Sequence, residues 1–221
     1  MIGDLLPATV RWNEAFDDDC EVALFSAEQA QIARSTPERK KEFATVRACA
    51  RRAMAELGRP AVPLVRGPGG APRWPDGLVG SLTHCRGYRA AVVAPAAVVR
   101  SVGIDAEPAL PLPTGVFGLI GSAAERSAVA GLVADDAAVP WDRLLFCAKE
   151  AVYKAWFPLT ARWLKFGDVS VDLQPGGTFA ARLPNAGHDE PAGFTGRWLA
   201  HRGFLVTSVV CPVSDGAAYR R

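Results

Sequence analysis

Apolar and polar positions follow two rhythms along this chain, one of about 3.6 residues and one of about 2. The longer rhythm first appears after Thr36-Pro37-Glu38, where a capping hydroxyl precedes a proline in the first helical position and then an acid. Phe43, Val46, Ala50, Met54 and Leu57 then fall in a stripe of about 80° on a helical wheel. Gly58 supplies the stop, so a helix is predicted over 37–57. Short strand-like pieces, Ala8–Trp12 and Glu21–Phe25, and a short helix after Ser26 precede it. Residues 61–65, 78–84, 88–94 and 98–105 are β-branched or apolar runs between turns, read as strands of a mostly antiparallel sheet. Gly67-Pro68-Gly69-Gly70-Ala71-Pro72 is too rich in glycine and proline for helix or strand.

The second half repeats that order loosely. Ser122-Ala123-Ala124-Glu125 is a capping box that opens a helix to about Val133. Pro140-Trp141-Asp142 opens a longer helix, which Pro158 is expected to close. Strands are predicted at 168–173, 178–183, 196–200 and 204–210, with turns at Pro175-Gly176-Gly177 and His201-Arg202-Gly203. Each half is a small sheet plus helices, so the expected fold is α+β in two pseudo-symmetric lobes, 1–102 and 103–221.

Composition sharpens this picture. The chain has 221 residues, and 49% hydrophobic against 22% charged excludes disorder, collagen and coiled coil. The formal charge of +2 conceals an uneven spread. Residues 1–33 carry one base and seven acids, 34–100 carry thirteen bases and four acids, and 101–221 carry eleven bases and twelve acids. A strongly basic internal stretch suits an anionic ligand. Five scattered cysteines without a Cys-x-x-Cys pair read as free thiols. Asp4 stands where a signal peptide would carry bases, and the longest apolar run, Ala90 to Val99, is too short to span a bilayer. A soluble cytoplasmic protein is the expectation.

Four features carry chemistry. In Gly103-Ile104-Asp105-Ala106-Glu107-Pro108, strand alternation puts Asp105 and Glu107 on one face at a strand end. Two like charges so close call for a cation or water, and hard oxygen donors favour Mg²⁺ over zinc; a solvated strand end reads the same way. On the helix after Trp141, Leu144, Leu145, Ala148, Val152, Ala155 and Trp156 make a broad apolar face, with Phe146, Tyr153 and Phe157 outside it. Lys149, Glu150 and Lys154 thus sit on a helix apolar nearly all round, so they are paired, bind something, or snorkel to water. Arg39 falls within the stripe of the 37–57 helix and Arg47 on its flank. Both suit phosphate through the planar guanidinium fork, and Arg39 also adds to the positive end of the helix; an arginine snorkelling to water at a helix end reads the same way. Ser81-Leu82-Thr83-His84 ends a strand, with His84 either structural or ligand-binding.

Together these segments resemble the 4′-phosphopantetheinyl transferases, in particular the larger two-lobed Sfp-type subgroup and its actinobacterial, mycobacterial PptT-like members. Val102-Gly103-Ile104-Asp105-Ala106-Glu107 is similar to the family's first signature. Phe146-Cys147-Ala148-Lys149-Glu150-Ala151-Val152-Tyr153-Lys154 is similar to its second, W-x-x-K-E-A-x-x-K, with Phe146 for the tryptophan. Gly80-Ser81-Leu82-Thr83-His84-Cys85 resembles the upstream Ser/Thr-His segment. Trp156-Phe157-Pro158 stands where a glycine often follows, and Arg66 where a lysine often precedes the Gly/Pro loop.

The resemblance implies transfer of 4′-phosphopantetheine from coenzyme A to a serine of an apo acyl or peptidyl carrier protein, releasing 3′,5′-adenosine bisphosphate. It implies Asp105, Glu107 and Glu150 as ligands of Mg²⁺, with Mn²⁺ as an alternative. It assigns Lys154 and Lys149 to pyrophosphate oxygens, and Arg39, Arg47 and His84, with Thr83, to the 3′-phosphate. Arg66 and the loop containing Gly69, Gly70 and Pro72 would line the adenine, and Tyr153 and Trp163 the pantetheine arm. Glu150 is the first choice of base and Glu107 the second, with Lys154 beside them. Fatty-acid, polyketide, nonribosomal-peptide and siderophore carriers all stay open, and the paired lobes imply a monomer. Two other readings compete: a Mg²⁺-dependent nuclease using the basic stretch as its footprint, and a non-catalytic module that binds coenzyme A or a carrier.

Overall fold

The computed structural model describes residues 1–18, 22–188 and 190–213. Local signals start its helices where expected. Thr36 Oγ1 accepts the amide of Arg39 and opens α2 (Pro37–Ala55), which follows the short α1 (Ser26–Gln31). Ser122 and Glu125 form the reciprocal box that opens α4 (Ala123–Asp135). A short helix not foreseen in the sequence, α3 (Val116–Ile120), lies just before it. The longest helix, α5 (Trp141–Thr160), runs past Pro158 instead of ending there. Proline removes one amide donor, and so near the end the last turn closes by other means. Thr160 Oγ1 donates to the Trp156 carbonyl at 3.2 Å, and the amide of Ala161 to the Phe157 carbonyl at 2.9 Å.

The strands are β1 (Arg11–Ala15), β2 (Leu78–Cys85), β3 (Tyr88–Pro95), β4 (Val99–Pro108), β5 (Ser170–Gln174), β6 (Thr178–Arg182), β7 (Gly193–His201) and β8 (Phe204–Pro212). They form two antiparallel sheets, β1-β3-β2 and β4-β8-β7-β6-β5. The α+β class and its two small sheets agree with expectation, while several details differ. The first strand lies at 11–15, not 8–12, because Pro7 and the turn at Ala8–Thr9 delay it. Residues 22–25 and 61–65 form no strand; Pro60 and Pro63 cannot donate to a ladder. Glu21 lies outside the described residues. The 98–105 run does not join the first sheet: β4 pairs with β8, with Asp105 opposite Thr207.

Side-chain hydroxyls join the sheets where a ladder would otherwise run. Ser81 Oγ accepts the amide of Ile104 at 3.1 Å and Thr83 Oγ1 that of Ala106 at 3.0 Å. Those two amides of β4 would otherwise be buried without partners. The apolar residues then form layers. Cys49, Ala50 and Met54 of α2 pack on Ala91 and Val93 of β3. The other face of β3, with Ala90 and Val92, packs on Val102, Ile104 and Ala106 of β4. Leu145, Ala148 and Val152 of α5 pack on Phe179, Trp198 and Leu205 of the five-stranded sheet.

One glycine sets the distance between α5 and β4. A Cβ on Gly103 would lie 2.0 Å from the Ala151 carbonyl oxygen and 2.6 Å from the Ala155 nitrogen. The helix backbone therefore rests on the strand backbone, and Ser101, Gly103, Asp105 and Glu107 all face α5. No described helix is long and apolar enough to cross a membrane.

Candidate active site

A cleft of about 660 Å³ opens where α2, β2, β4, α5 and the loop 66–73 meet. The α5 residues in its wall are Glu150, Tyr153, Lys154, Phe157 and Pro158, spaced so that one helix face presents all five. β2 contributes Gly80 to His84, β4 contributes Asp105, and α2 contributes Arg39 and Arg47. Arg66, Gly67, Gly69, Gly70 and Pro72 line it from the loop. That loop needs its glycines. Gly69 has φ +63°, and a Cβ there would lie 2.4 Å from the Phe157 ring, so the loop lies flat on α5.

At the acidic end, Asp105 is only 6% exposed. Its Oδ1 accepts from Lys154 Nζ at 2.7 Å and Thr83 Oγ1 at 3.2 Å, while its buried Oδ2 has no partner. Lys154 also donates to the Leu82 carbonyl at 3.3 Å and the Ile104 carbonyl at 3.0 Å, so its three protons are committed. Burial pulls its pKa down, but Asp105 and Glu150 more than offset this and keep the ammonium charged. Burial, then the charge of Asp105, raises the Glu150 carboxyl above its usual range. Glu107 is raised for the same reasons, and its Oε2 accepts from Arg143 at 2.8 Å.

The basic end is built around Phe43. The Arg47 guanidinium sits 3.6 Å from its ring centroid and that of Arg66 5.9 Å. Burial lowers the Arg47 pKa to about 10, which leaves it cationic at neutral pH. Arg39 Nη1 donates to His84 Nε2 at 2.6 Å and Glu42 Oε2 at 3.0 Å. Burial, then the charge of Arg39, lowers His84 to about 4, so its ring is neutral at pH 7. Arg39, Arg47 and Arg66 thus put three cations at one end of a cleft whose other end holds a carboxylate oxygen without a hydrogen-bond partner.

Such a division suits a ligand bearing separate phosphates, and the relatives of the chain agree. Residues 27–94 match the family described as 4′-phosphopantetheinyl transferase N-terminal domain, and residues 101–207 the 4′-phosphopantetheinyl transferase superfamily. The chain belongs to the 4′-phosphopantetheinyl transferases. It is 49% identical to 4′-phosphopantetheinyl transferase Svp of Streptomyces mobaraensis, over 99% of this chain and 92% of that protein. It is 46% identical to 4′-phosphopantetheinyl transferase PptT of Mycobacterium tuberculosis (strain ATCC 25618 / H37Rv), over 95% and 97%. It is 45% identical to 4′-phosphopantetheinyl transferase Npt of Nocardia iowensis, over 95% and 99%. All three segments that carry the family resemblance contribute to the wall of the cleft.

Not every residue expected in this transferase site reaches the cleft. Lys149 is 2% exposed and does not line it. Its ammonium donates to Glu125 Oε2, the Ile120 carbonyl and the Phe166 carbonyl at 2.8–2.9 Å, which uses every proton on it. Glu107 also lies outside the lining, held by Arg143. Trp163 is 69% exposed and touches the site only by packing edge-on against Tyr153, centroids 5.3 Å apart. Conversely, Arg73, Trp74 and Phe157 line the cleft without having been singled out as site residues. Phe157 was legible as a residue outside the apolar face of its helix, within the Trp156-Phe157-Pro158 stretch that stands where a glycine is common. Trp74 gave no signal, since its role comes from the Nε1 bond to the Gly80 carbonyl at 3.0 Å.

Among the described residues no three His, Cys, Asp or Glu side chains converge closely enough to cage a metal alone. Asp105 Oδ2 and the neighbouring Glu150 carboxylate nevertheless suit a hard cation that completes its shell with water and substrate oxygens.

Proposed function

We propose that this transferase moves the 4′-phosphopantetheine group of coenzyme A onto a serine hydroxyl of an apo acyl or peptidyl carrier protein. The serine oxygen forms a bond to the β-phosphorus of coenzyme A, its phosphoanhydride bond breaks, and 3′,5′-adenosine bisphosphate leaves. The observation that supports this most is the polarity of one cleft, with Arg39, Arg47 and Arg66 at one end and Asp105 with Glu150 at the other. The lobe up to about residue 102 would hold the nucleotide, and the lobe from 103 onward would hold the reacting phosphates.

In this reading Arg39, Arg47 and neutral His84 receive the 3′-phosphate, the arginines through charge and His84 through a ring N–H. The flat loop with Gly69, Gly70 and Pro72, and Arg66 beside it, form the adenine wall. Tyr153 and Phe157, tilted against each other with centroids 5.8 Å apart, border the pantetheine arm, with Trp163 behind Tyr153. Mg²⁺, or Mn²⁺ in its place, would be held by Asp105 and Glu150 and would neutralise charge on the pyrophosphate. Lys154 fixes Asp105 Oδ1, and Oδ2 has no hydrogen-bond partner. Glu150 is the base that takes the serine proton, since its raised pKa brings it nearer the operating pH.

Glu150→Gln tests these roles. The variant keeps the size of the side chain and is expected to fold normally and bind coenzyme A, yet transfer at least about 100-fold more slowly, the usual scale for general-base loss. Turnover near that of the parent in saturating Mg²⁺ removes Glu150 from the mechanism.

A further inference from the structure

Glu28 lies on α1, outside the cleft, and is 0% exposed. A carboxyl so buried needs partners, and Glu28 finds them in three places. Oε2 accepts the amide of Phe25 at 3.0 Å, just before α1, and a guanidinium nitrogen of Arg51 on α2. Oε1 accepts the amide of Leu64 at 2.9 Å, in a bond buried from water. Three residues on, Gln31 Oε1 accepts the amide of Arg66 at 3.1 Å. Glu28 and Gln31 share one face of α1 by that spacing. The helix thus supplies acceptors to alternate amides of a segment that forms no strand over 61–65.

That segment places two of the cations in the cleft. Arg66 lies at its end. Arg47, 6% exposed, donates from Nε to the Leu64 carbonyl at 3.3 Å, and its fork meets no other acceptor among the described residues. Leu64 is therefore held by Glu28 through its amide and holds Arg47 through its carbonyl. The guanidinium is fixed at one edge, over the Phe43 ring, with Nη1 and Nη2 left for an anion. Burial acts most strongly on this cation; the charge of Glu28 comes next and favours it, against Arg66, Arg39 and Arg51.

We propose that Glu28 is a positioning residue for coenzyme A: it holds Leu64 so that Arg47 presents Nη1 and Nη2 to the 3′-phosphate. This rests on the reading of Arg47 as a partner of that phosphate. Glu28 itself touches no ligand. Its charge and its tie to Leu64 then act with opposite signs. Deleting the charge alone would draw an anionic ligand in more tightly, whereas deleting the tie loosens it, and the proposal makes the tie dominant.

The test is isothermal titration of the intact enzyme with coenzyme A and with 3′-dephospho-coenzyme A. In Glu28→Gln the amide oxygen is claimed by the two donors at the Oε2 position, Phe25 and Arg51. Its NH₂ group then faces the Leu64 amide, donor against donor. Coenzyme A should bind about tenfold more weakly, the scale of one charge-assisted hydrogen bond, while the 3′-dephospho form stays within about twofold. Should Glu28→Gln fail to fold, Glu28→Leu combined with Arg51→Leu replaces the buried ion pair by apolar bulk and leaves the net charge beside Arg47 unchanged. The same loss, specific to the 3′-phosphate, is expected there. Arg47→Ala tests the underlying reading and should cut the preference for coenzyme A at least about tenfold. If it does so while the folded Glu28 variant keeps that preference or binds coenzyme A more tightly, the positioning role falls and the reading of Arg47 stands. An equal loss for both ligands, or failure of both Glu28 variants to fold, marks Glu28 as purely structural and also overturns the proposal. A preference unchanged by Arg47→Ala overturns the reading of Arg47, and the positioning role with it.

Discussion

Replacing Lys149 with methionine keeps a long apolar stem and deletes the charge. Lys149 is buried, and its three protons meet Glu125, the Ile120 carbonyl and the Phe166 carbonyl. It thereby ties α5 to the end of α3, to α4 and to the turn before β5. Losing one partner of a buried ion pair costs about 3–5 kcal/mol. Glu125 keeps the amides of Ser122 and Val171, both at 2.8 Å, so the loss should fall at the lower end, about 3 kcal/mol. Adding Glu125→Gln should recover part of this, since the stranded charge goes too. The assay is urea unfolding of the parent, Lys149→Met and the double variant, with coenzyme A affinity measured under folding conditions. The midpoint should fall with an unchanged slope, and coenzyme A affinity should stay within about threefold. A variant as stable as the parent that binds coenzyme A more than about tenfold weaker would refute the reasoning and put the ammonium on the ligand.

Two further outcomes follow from the geometry. Gly103→Ala pushes a Cβ into the backbone of α5, so thermal unfolding should show a loss of about 3 kcal/mol or more, and transfer should drop as Glu150 shifts. His84 has a folded pKa of about 4 against 6.5 for the free group, so the unfolded chain binds its proton first. Its contribution is whole above pH 6.5 and lost as pH falls toward 4; His84→Asn should flatten the stability slope across that window, read by urea unfolding at stepped pH.

Much of this site was legible before the fold was known, and the gaps have physical causes. The capping box at Ser122 was readable because its partners lie three residues apart. That Glu125 would also hold Lys149 was not, because the pairing joins two helices by tertiary packing. The wheel showed only that Lys149 is paired, binds something or snorkels to water, and it could not say which. Alternation put Asp105 and Glu107 on one face, as found, but the arginine that pairs with Glu107 lies 36 residues beyond it. Its one local sign was a cation at a helix start. Pro158 was read as a stop because proline disrupts helix interiors, a rule that weakens within the last turn. The 61–65 run was misread because β-branched composition cannot tell a paired strand from an extended segment that carries two nearby prolines.

The most direct measurement is the intact mass of a purified apo-carrier protein after incubation with this enzyme, coenzyme A and Mg²⁺. The account predicts a gain of one phosphopantetheine group on a carrier serine, with 3′,5′-adenosine bisphosphate released in equal amount. Carrier mass unchanged across several apo-carriers, with coenzyme A left intact, would contradict it.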